Sequence, residues 1–227
     1  MQKLFYLLFD SPDADGAKIR DALIGTAVPA MRASGAAEIS VFAADEHVEA
    51  GNPIRQLDPP IRAMVSFWLE DAADRGPSEE ALAAHVHGLA GYLVVESRPM
   101  IHERPVGERV EGMKQISCIT KRADISQEEY IDIWHKDHRE VAIETQSTFG
   151  YVRNEIFRAL TPNAPDKWDA FVEESFPVGA LTDQHIFYDA ENQEQYEKNF
   201  KIMMDSCGRF LDHSAIEVTF VSEYYQG

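Results

Sequence analysis

Cysteine is scarce in this chain. Cys118 and Cys207 are its only two, and they lie far apart in the sequence. Two such thiols exclude a disulfide framework or a zinc ribbon, which favours a reduced, cytoplasmic chain. Neither lies beside an obvious base in the sequence, so we interpret both as small core hydrophobes rather than catalytic thiols.

Basic residues are also few, and long apolar runs are missing. Lys and Arg number 21 against 39 Asp and Glu, for a formal net charge of -18. Such a surface repels phosphate backbones and anionic lipid, so nucleic-acid and membrane partners are not expected. No apolar stretch reaches the length of about 20 residues that is needed to span a bilayer. The first residues, MQKLFYLLFDSPDAD, lack the features of a signal peptide.

The sequence predicts the same order of strands and helices in each of its two halves. In the second half, MKQISCITK, GYVRNEIFRAL, DQHIFYDA and AIEVTFVSEYY predict strands. Ser126 and Glu129 form a capping box that opens a helix to about Thr148, and a charged helix follows from about Asn192 to Leu211. The predicted order is β-α-β-β-α-β.

The first half repeats this order. KLFYLLF, EISVFAAD, RAMVSFWLE and GYLVVES predict its strands, with one helix from about Lys18 to Ala33 and a short one opened by Ser78. We therefore predict an α+β fold of two ferredoxin-like repeats, residues 1–102 and 113–227, joined by a polar linker at 103–112. Pairing the two sheets would cover their open faces and form a barrel within one chain.

The stretch WHKDHREVA places a histidine on the apolar side of the first helix in the second repeat. At about 100° per residue, His138 shares a stripe with Tyr130, Trp134 and Val141, whereas His135 lies nearer the solvent border. Burial would keep the His138 imidazole neutral, which is the state that a general base requires. The alternative is a core histidine satisfied by one hydrogen bond.

Other polar residues near this helix are weaker candidates. Asp137 either orients an imidazole or forms a solvated ion pair. His135 and His138 are spaced to reach one metal ion, but no third ligand follows and the pattern is not that of zinc peptidases, so no metal is predicted. A Walker loop and a dinucleotide fingerprint are also absent.

Further candidates lie on the predicted strands that follow. Tyr151 and His185 can polarise a carbonyl or hold a phenolate, and Arg153 can clamp a carboxylate; each is also an ordinary strand residue. The long connection from Thr161 to Ala180 has an apolar side that includes Trp168 and Phe176. We interpret it as a substrate-covering loop or, alternatively, as a small packed subdomain.

The stretch ISQEEYIDIWHKDHREVA resembles the EthD family of the dimeric alpha-beta barrel superfamily. Trp134 and His138 match the Trp and His spacing of that family, and FLDHSAIEVTFVSEYY resembles its closing turn and last strand. Glu140 stands where the family commonly has proline, which leaves the helix free to continue. The resemblance covers most of residues 113–226.

The first repeat departs from the family at its key position. Aligning the two repeats puts Leu23 where Trp134 stands, Ala27 where His138 stands, and Pro29 at the family's proline. The first repeat is therefore expected to keep the scaffold without the imidazole. One histidine site, in a pocket of the barrel, is expected to survive.

The resemblance implies a cofactor-independent enzyme of small aromatic or polyketide-like metabolism. We favour a lyase, in particular a decarboxylase of a phenolic acid, with His138 as its proton-transfer group. Two alternatives remain: a haem-dependent or oxygen-using enzyme of the same superfamily, and a non-catalytic protein that binds a hydrophobic metabolite. Further association into a homodimer also stays open.

Overall fold

Eight antiparallel strands close into a barrel in the computed structural model, which describes residues 1–227. The strands are β1 (Gln2–Phe9), β2 (Ala37–Ala43), β3 (Ile61–Leu69), β4 (Gly88–Met100), β5 (Met113–Ile119), β6 (Gly150–Ala159), β7 (Ala170–Phe176) and β8 (Glu217–Tyr225). Their order around the barrel is β1-β3-β2-β8-β5-β7-β6-β4. Each half therefore forms a four-stranded ferredoxin-like sheet, and the pairs β2–β8 and β4–β6 join the halves, which confirms the predicted fold class.

Helices cover the outer faces of the two sheets. They are α1 (16–33), α2 (Gly76–Ala83), α3 (127–145), α4 (Gln184–Phe187) and α5 (Gln193–Cys207). The Ser126 hydroxyl accepts a hydrogen bond of 3.1 Å from the Glu129 N–H, so α3 begins where the capping box predicts. None of these helices combines the length and apolar character that crossing a membrane requires.

Both long helices that follow a first strand contain a π-helical turn. In α1 it covers Leu23–Ala27, and in α3 it covers Ile133–His138. Pro29 has no N–H to donate, which explains the widened turn in α1. Ala27 and His138 are the last residues of the two turns, in agreement with our alignment of the repeats. Such turns are rare and occur frequently at functional sites.

Two sequence-based assignments in the second half are wrong. The segment 183–190, predicted as a strand, contains helix α4, because the Asp183 carboxylate accepts from the His185 N–H at 2.8 Å and starts a helical turn. The long connection 161–180, predicted as a covering loop or subdomain, contains strand β7. Both faces of β7 are buried, so its sequence AFVEESF shows no clean polar and apolar alternation.

The inside of the barrel is packed and contains no large pocket. One end holds an apolar cluster that includes Phe5, Phe42 and Phe171. The other end holds charges: Lys114 Nζ lies 3.0 Å from Glu173 and 2.7 Å from Glu223. The pocket predicted inside the barrel must therefore lie elsewhere.

The two layers between sheet and helices differ. In the first half, a single cluster of 20 buried residues fills the space between the sheet and α1 and α2. In the second half, the corresponding residues form two separate clusters of 8. The gap between those clusters is the cavity described next.

Candidate active site

One wall of the cavity is a row of side chains across the second sheet. Glu174 on β7 is the direct cross-strand neighbour of Gln115 on β5 and of Tyr151 on β6. Residues two apart on a strand share a face, so Val172 and Ser117 extend the same wall. Direct neighbours of this kind have Cβ atoms about 5 Å apart, which brings three polar groups together.

The opposite wall comes from α3, α5 and the segment after α5. The cavity has a volume of about 310 Å³, and 15 of its 22 lining residues are hydrophobic, so it suits an apolar ligand of modest size. The lining residues are Asn52, Ile54, Gln115, Ser117, Ile119, Trp134, His138, Gln146, Tyr151, Val172, Glu174, Phe187, Tyr188, Met203, Met204, Cys207, Phe210, Leu211, His213, Ile216, Val218 and Phe220.

Glu174 is the most perturbed acid of this wall. Burial raises the pKa of its carboxyl to about 7, and a hydrogen bond of 3.3 Å from Gln115 Nε2 opposes that rise only in part. A carboxyl with this pKa can both accept and release a proton near neutral pH. Our sequence reasoning missed it. The available signal was the pair Glu173–Glu174 within an otherwise apolar segment.

His138 lines the cavity from α3. Its Nδ1 lies 3.0 Å from the Ser206 hydroxyl on α5, and its ring packs on Phe210 at 4.7 Å between centroids. Burial, with a smaller contribution from Arg209, lowers the pKa of His138 to about 4. The imidazole is therefore neutral at pH 7, as the sequence predicted.

Trp134 and Tyr151 form a bonded aromatic pair between helix and sheet. The Trp134 indole N–H donates to the Tyr151 hydroxyl at 2.9 Å, and both side chains line the cavity. Burial, together with Glu174, raises the pKa of Tyr151, so its phenol stays protonated. Tyr130 packs behind Trp134 at 5.4 Å and shapes the pocket only indirectly.

His135 and Arg153 lie beside the cavity rather than in its wall. His135 Nε2 is 3.3 Å from a Glu155 carboxylate oxygen. Arg153 lies over the Trp134 ring at 5.7 Å and donates from Nε to Ser97 at 2.9 Å. The widened turn of α3 separates the two histidines, which therefore do not converge on one metal ion.

Four other predicted site residues lie away from the cavity wall. His185 is half-buried on α4 beside Asp183, the residue that caps this helix, and it does not line the cavity. Trp168 donates to the Ala215 carbonyl at 3.2 Å and belongs to the cluster inside the barrel. Phe176 stacks on Phe187 at 4.4 Å and supports that lining residue from behind.

Asp137 is the fourth, and it forms an exposed ion pair with Arg209 at 2.7 Å. Exposed ion pairs add little to the free energy of unfolding, because water and salt screen the two charges. We therefore expect Asp137→Asn to change the free energy of unfolding by no more than about 0.5 kcal/mol. Urea denaturation checks this value, and a loss above about 1 kcal/mol would show that Asp137 has a structural role.

Cys118 is a buried core residue, as predicted, whereas Cys207 is half-buried at the cavity instead of in the core. Burial raises the pKa of Cys207, which lines the cavity, to about 12, and it raises the pKa of Cys118 inside the barrel. Both thiols therefore stay protonated near neutral pH, where a thiol is a poor nucleophile.

Haem does not fit the residues of this cavity. His138 could serve as an axial ligand, but no Lys or Arg is among the lining residues. The propionates of haem would meet no cation there, and Glu174 would repel them.

Comparison with known proteins supports the fold. The sequence matches no family model and no curated protein, so the EthD resemblance is not confirmed. An anthrone oxidase-like protein superposes over 100% of this chain and 93% of its own, with a TM-score of 0.56 and 8% identity. The chain has the dimeric alpha-beta barrel fold. A candidate chlorite dismutase also superposes, over 97% of this chain and 95% of its own, with a TM-score of 0.51 and 8% identity.

At such low identity these similarities show the fold alone. The barrel described above is formed within one chain, and the superpositions run over nearly the whole of it. The chemistry of the cavity must be argued from its own residues.

Proposed function

We propose that this protein is a cofactor-independent enzyme of the lyase or isomerase type. It moves a proton on a small, uncharged aromatic or polyketide-like compound bound between the second sheet and its helices. Glu174 carries the proposal, because a buried carboxyl with a pKa of about 7 faces an apolar cavity that also contains a neutral histidine.

The reaction starts with the ionised Glu174. Its carboxylate takes a proton from an activated C–H of the bound compound, and the electron pair of that bond moves to a conjugated carbonyl oxygen. Returning the proton to another atom gives an isomer. If the electron pair instead returns to form a C=C bond, a β-substituent leaves with its own bonding pair and an elimination product forms. The apolar walls, which include Phe210 and Phe220, exclude water and strengthen the interactions at the reacting atoms.

Decarboxylation, the narrower expectation from the sequence, is less well supported. A carboxylate substrate would enter a cavity whose lining offers no Lys or Arg and already holds the Glu174 carboxyl. Burying a second anion there without a partner is costly. An uncharged ketone or phenol meets no such penalty.

Hydrogen exchange tests the proposal directly. The probes are uncharged aromatic ketones and phenols, and the similarity to an anthrone oxidase-like protein makes anthrone the first choice. Loss of the activated C–H signal in D₂O under anaerobic conditions, followed by proton NMR, measures proton abstraction. We expect the enzyme to accelerate exchange and Glu174→Gln to slow it by at least about 100-fold.

The pH dependence gives a second check on the same residue. Because Glu174 acts in its ionised form, kcat/KM should rise with pH and level off above its pKa of about 7. The control is Asp137→Asn, which removes an exposed carboxylate on the outer side of α3 and should leave the activity equal to that of the wild type.

Two other outcomes would point to different functions. Tight binding of a probe without exchange would identify a protein that sequesters hydrophobic metabolites. Oxygen uptake that accompanies exchange in air would identify a cofactor-free oxidase, since the same proton abstraction precedes reaction with oxygen. Calorimetry and an oxygen electrode distinguish these outcomes.

A further inference from the structure

The Ser206 hydroxyl has one hydrogen-bond partner in the protein, and that partner is His138 Nδ1 at 3.0 Å. Ser206 lies on α5 and is buried. A buried hydroxyl of a helix commonly donates to a carbonyl one turn earlier, as Thr145 does to the Val141 carbonyl at 2.7 Å. Ser206 makes no such bond.

These contacts decide which ring nitrogen carries the proton. If Nδ1–H donated to Ser206, the hydroxyl proton would be left buried without an acceptor, which is costly. If Ser206 donates to Nδ1, both groups are satisfied. The neutral imidazole then carries its proton on Nε2.

We propose that Ser206 fixes His138 as the Nε2–H tautomer, so that His138 presents a hydrogen-bond donor to the cavity and acts on a substrate oxygen. This inference rests on the proposed function for its catalytic meaning. It revises the role predicted from the sequence, because a nitrogen that carries a proton cannot be the base. Glu174 takes the proton, and His138 stabilises the oxygen on which negative charge develops.

Two further polar groups of the lining, on Tyr151 and Gln146, support this division. The Tyr151 hydroxyl accepts from Trp134 and donates to no protein group, so its own proton is free for the ligand. The side chain of Gln146 makes no hydrogen bond within the protein, and its buried Oε1 has no partner. The substrate class is therefore an aromatic ketone or quinone-like compound whose oxygen accepts from His138 and Tyr151.

Nitrogen NMR on the whole protein tests the tautomer without a substrate. With ¹⁵N-labelled histidine, two-bond correlations show which nitrogen is protonated, since Nε2 couples to both carbon-bound ring protons. Comparison with His138→Gln assigns the His138 signals among the 8 histidines. We expect a protonated Nε2 and an unprotonated Nδ1. A protonated Nδ1 would overturn the inference and leave the proposed function standing.

Variants of Ser206 test its positioning role. In Ser206→Ala the Nδ1 signal should move to lower field, because that nitrogen loses the hydrogen bond it accepts, and C–H exchange of the probe should slow by about fivefold, the worth of one such bond. Ser206→Thr keeps the hydroxyl and should restore both values. The control Thr145→Ala removes another buried hydroxyl and should leave the His138 signals unchanged.

The role of Ser206, the tautomer of His138 and the proposed function can each be contradicted separately. Unchanged Nδ1 signals in Ser206→Ala would overturn the role of Ser206. The predicted tautomer in a protein that exchanges no probe would overturn the proposed function while the tautomer assignment stands.

Discussion

Replacing Glu173 with Gln should lower the free energy of unfolding at pH 7 by about 3 kcal/mol or more. Glu173 is buried inside the barrel, where it contacts Lys114 at 3.0 Å and Lys3 at 3.5 Å and accepts from Asn154 at 2.9 Å. Burial by itself would raise its pKa, but Lys114 and Lys3 overcome that effect and hold the pKa at about 2. Removing the carboxylate leaves two buried ammonium groups with fewer partners.

The pH dependence identifies the cause of this loss. The folded chain keeps Glu173 ionised down to a pKa of about 2, whereas the unfolded chain protonates it near 4.5. Its contribution is therefore complete above pH 4.5 and disappears as the pH falls toward 2. Urea denaturation of both proteins should show a difference that shrinks across this range. A difference of less than about 1 kcal/mol at pH 7 would contradict the prediction.

The neighbouring substitution, Glu174→Gln, should have the opposite effect on stability. Burial raises the pKa of Glu174 from 4.5 to about 7. Because one pKa unit corresponds to about 1.4 kcal/mol, ionising this carboxyl in the folded protein costs about 3 kcal/mol at pH 8. A glutamine avoids that cost and retains a polar side chain of the same shape.

The size of this effect depends on the pH. The penalty is absent below pH 4.5, grows between 4.5 and 7, and is complete above 7, because the folded protein binds the proton more tightly than the unfolded chain does. The variant should therefore match the wild type at pH 4.5 and exceed it by about 3 kcal/mol at pH 8. Equal stability at pH 8 would show that water solvates the carboxylate. A gain in stability with a loss of turnover is typical of an active-site residue.

The two glutamates show which features of the fold can be predicted from sequence patterns and which cannot. Seven of the eight strands were predicted close to their observed positions, because each follows an apolar run between turn residues. Strand β7 was missed since both of its faces are covered: Glu173 faces the lysines of the barrel and Glu174 faces the cavity. Adjacent residues of one strand point to opposite faces, but a sequence does not state what covers each face.

The helix containing His138 was predicted with its cap and its apolar stripe. The widened turn at Ile133–His138 was not predicted, because no proline marks it. It turns His138 toward Ser206 while His135 lies beside Glu155. Ser206 is 68 residues farther along the chain and belongs to another helix, so no local pattern could pair the two.

The sequence by itself determined the βαββαβ order of the first repeat, the absence of a histidine at its position equivalent to His138 and the burial of His138, since these follow from hydrophobic period, capping residues and residue identity. The tertiary structure alone decided that the cavity lies outside the barrel, that Glu174 enters it and that Ser206 bonds to His138. These depend on contacts between distant segments. The free energy of a buried charge or hydrogen bond is set by its neighbours in space rather than in sequence.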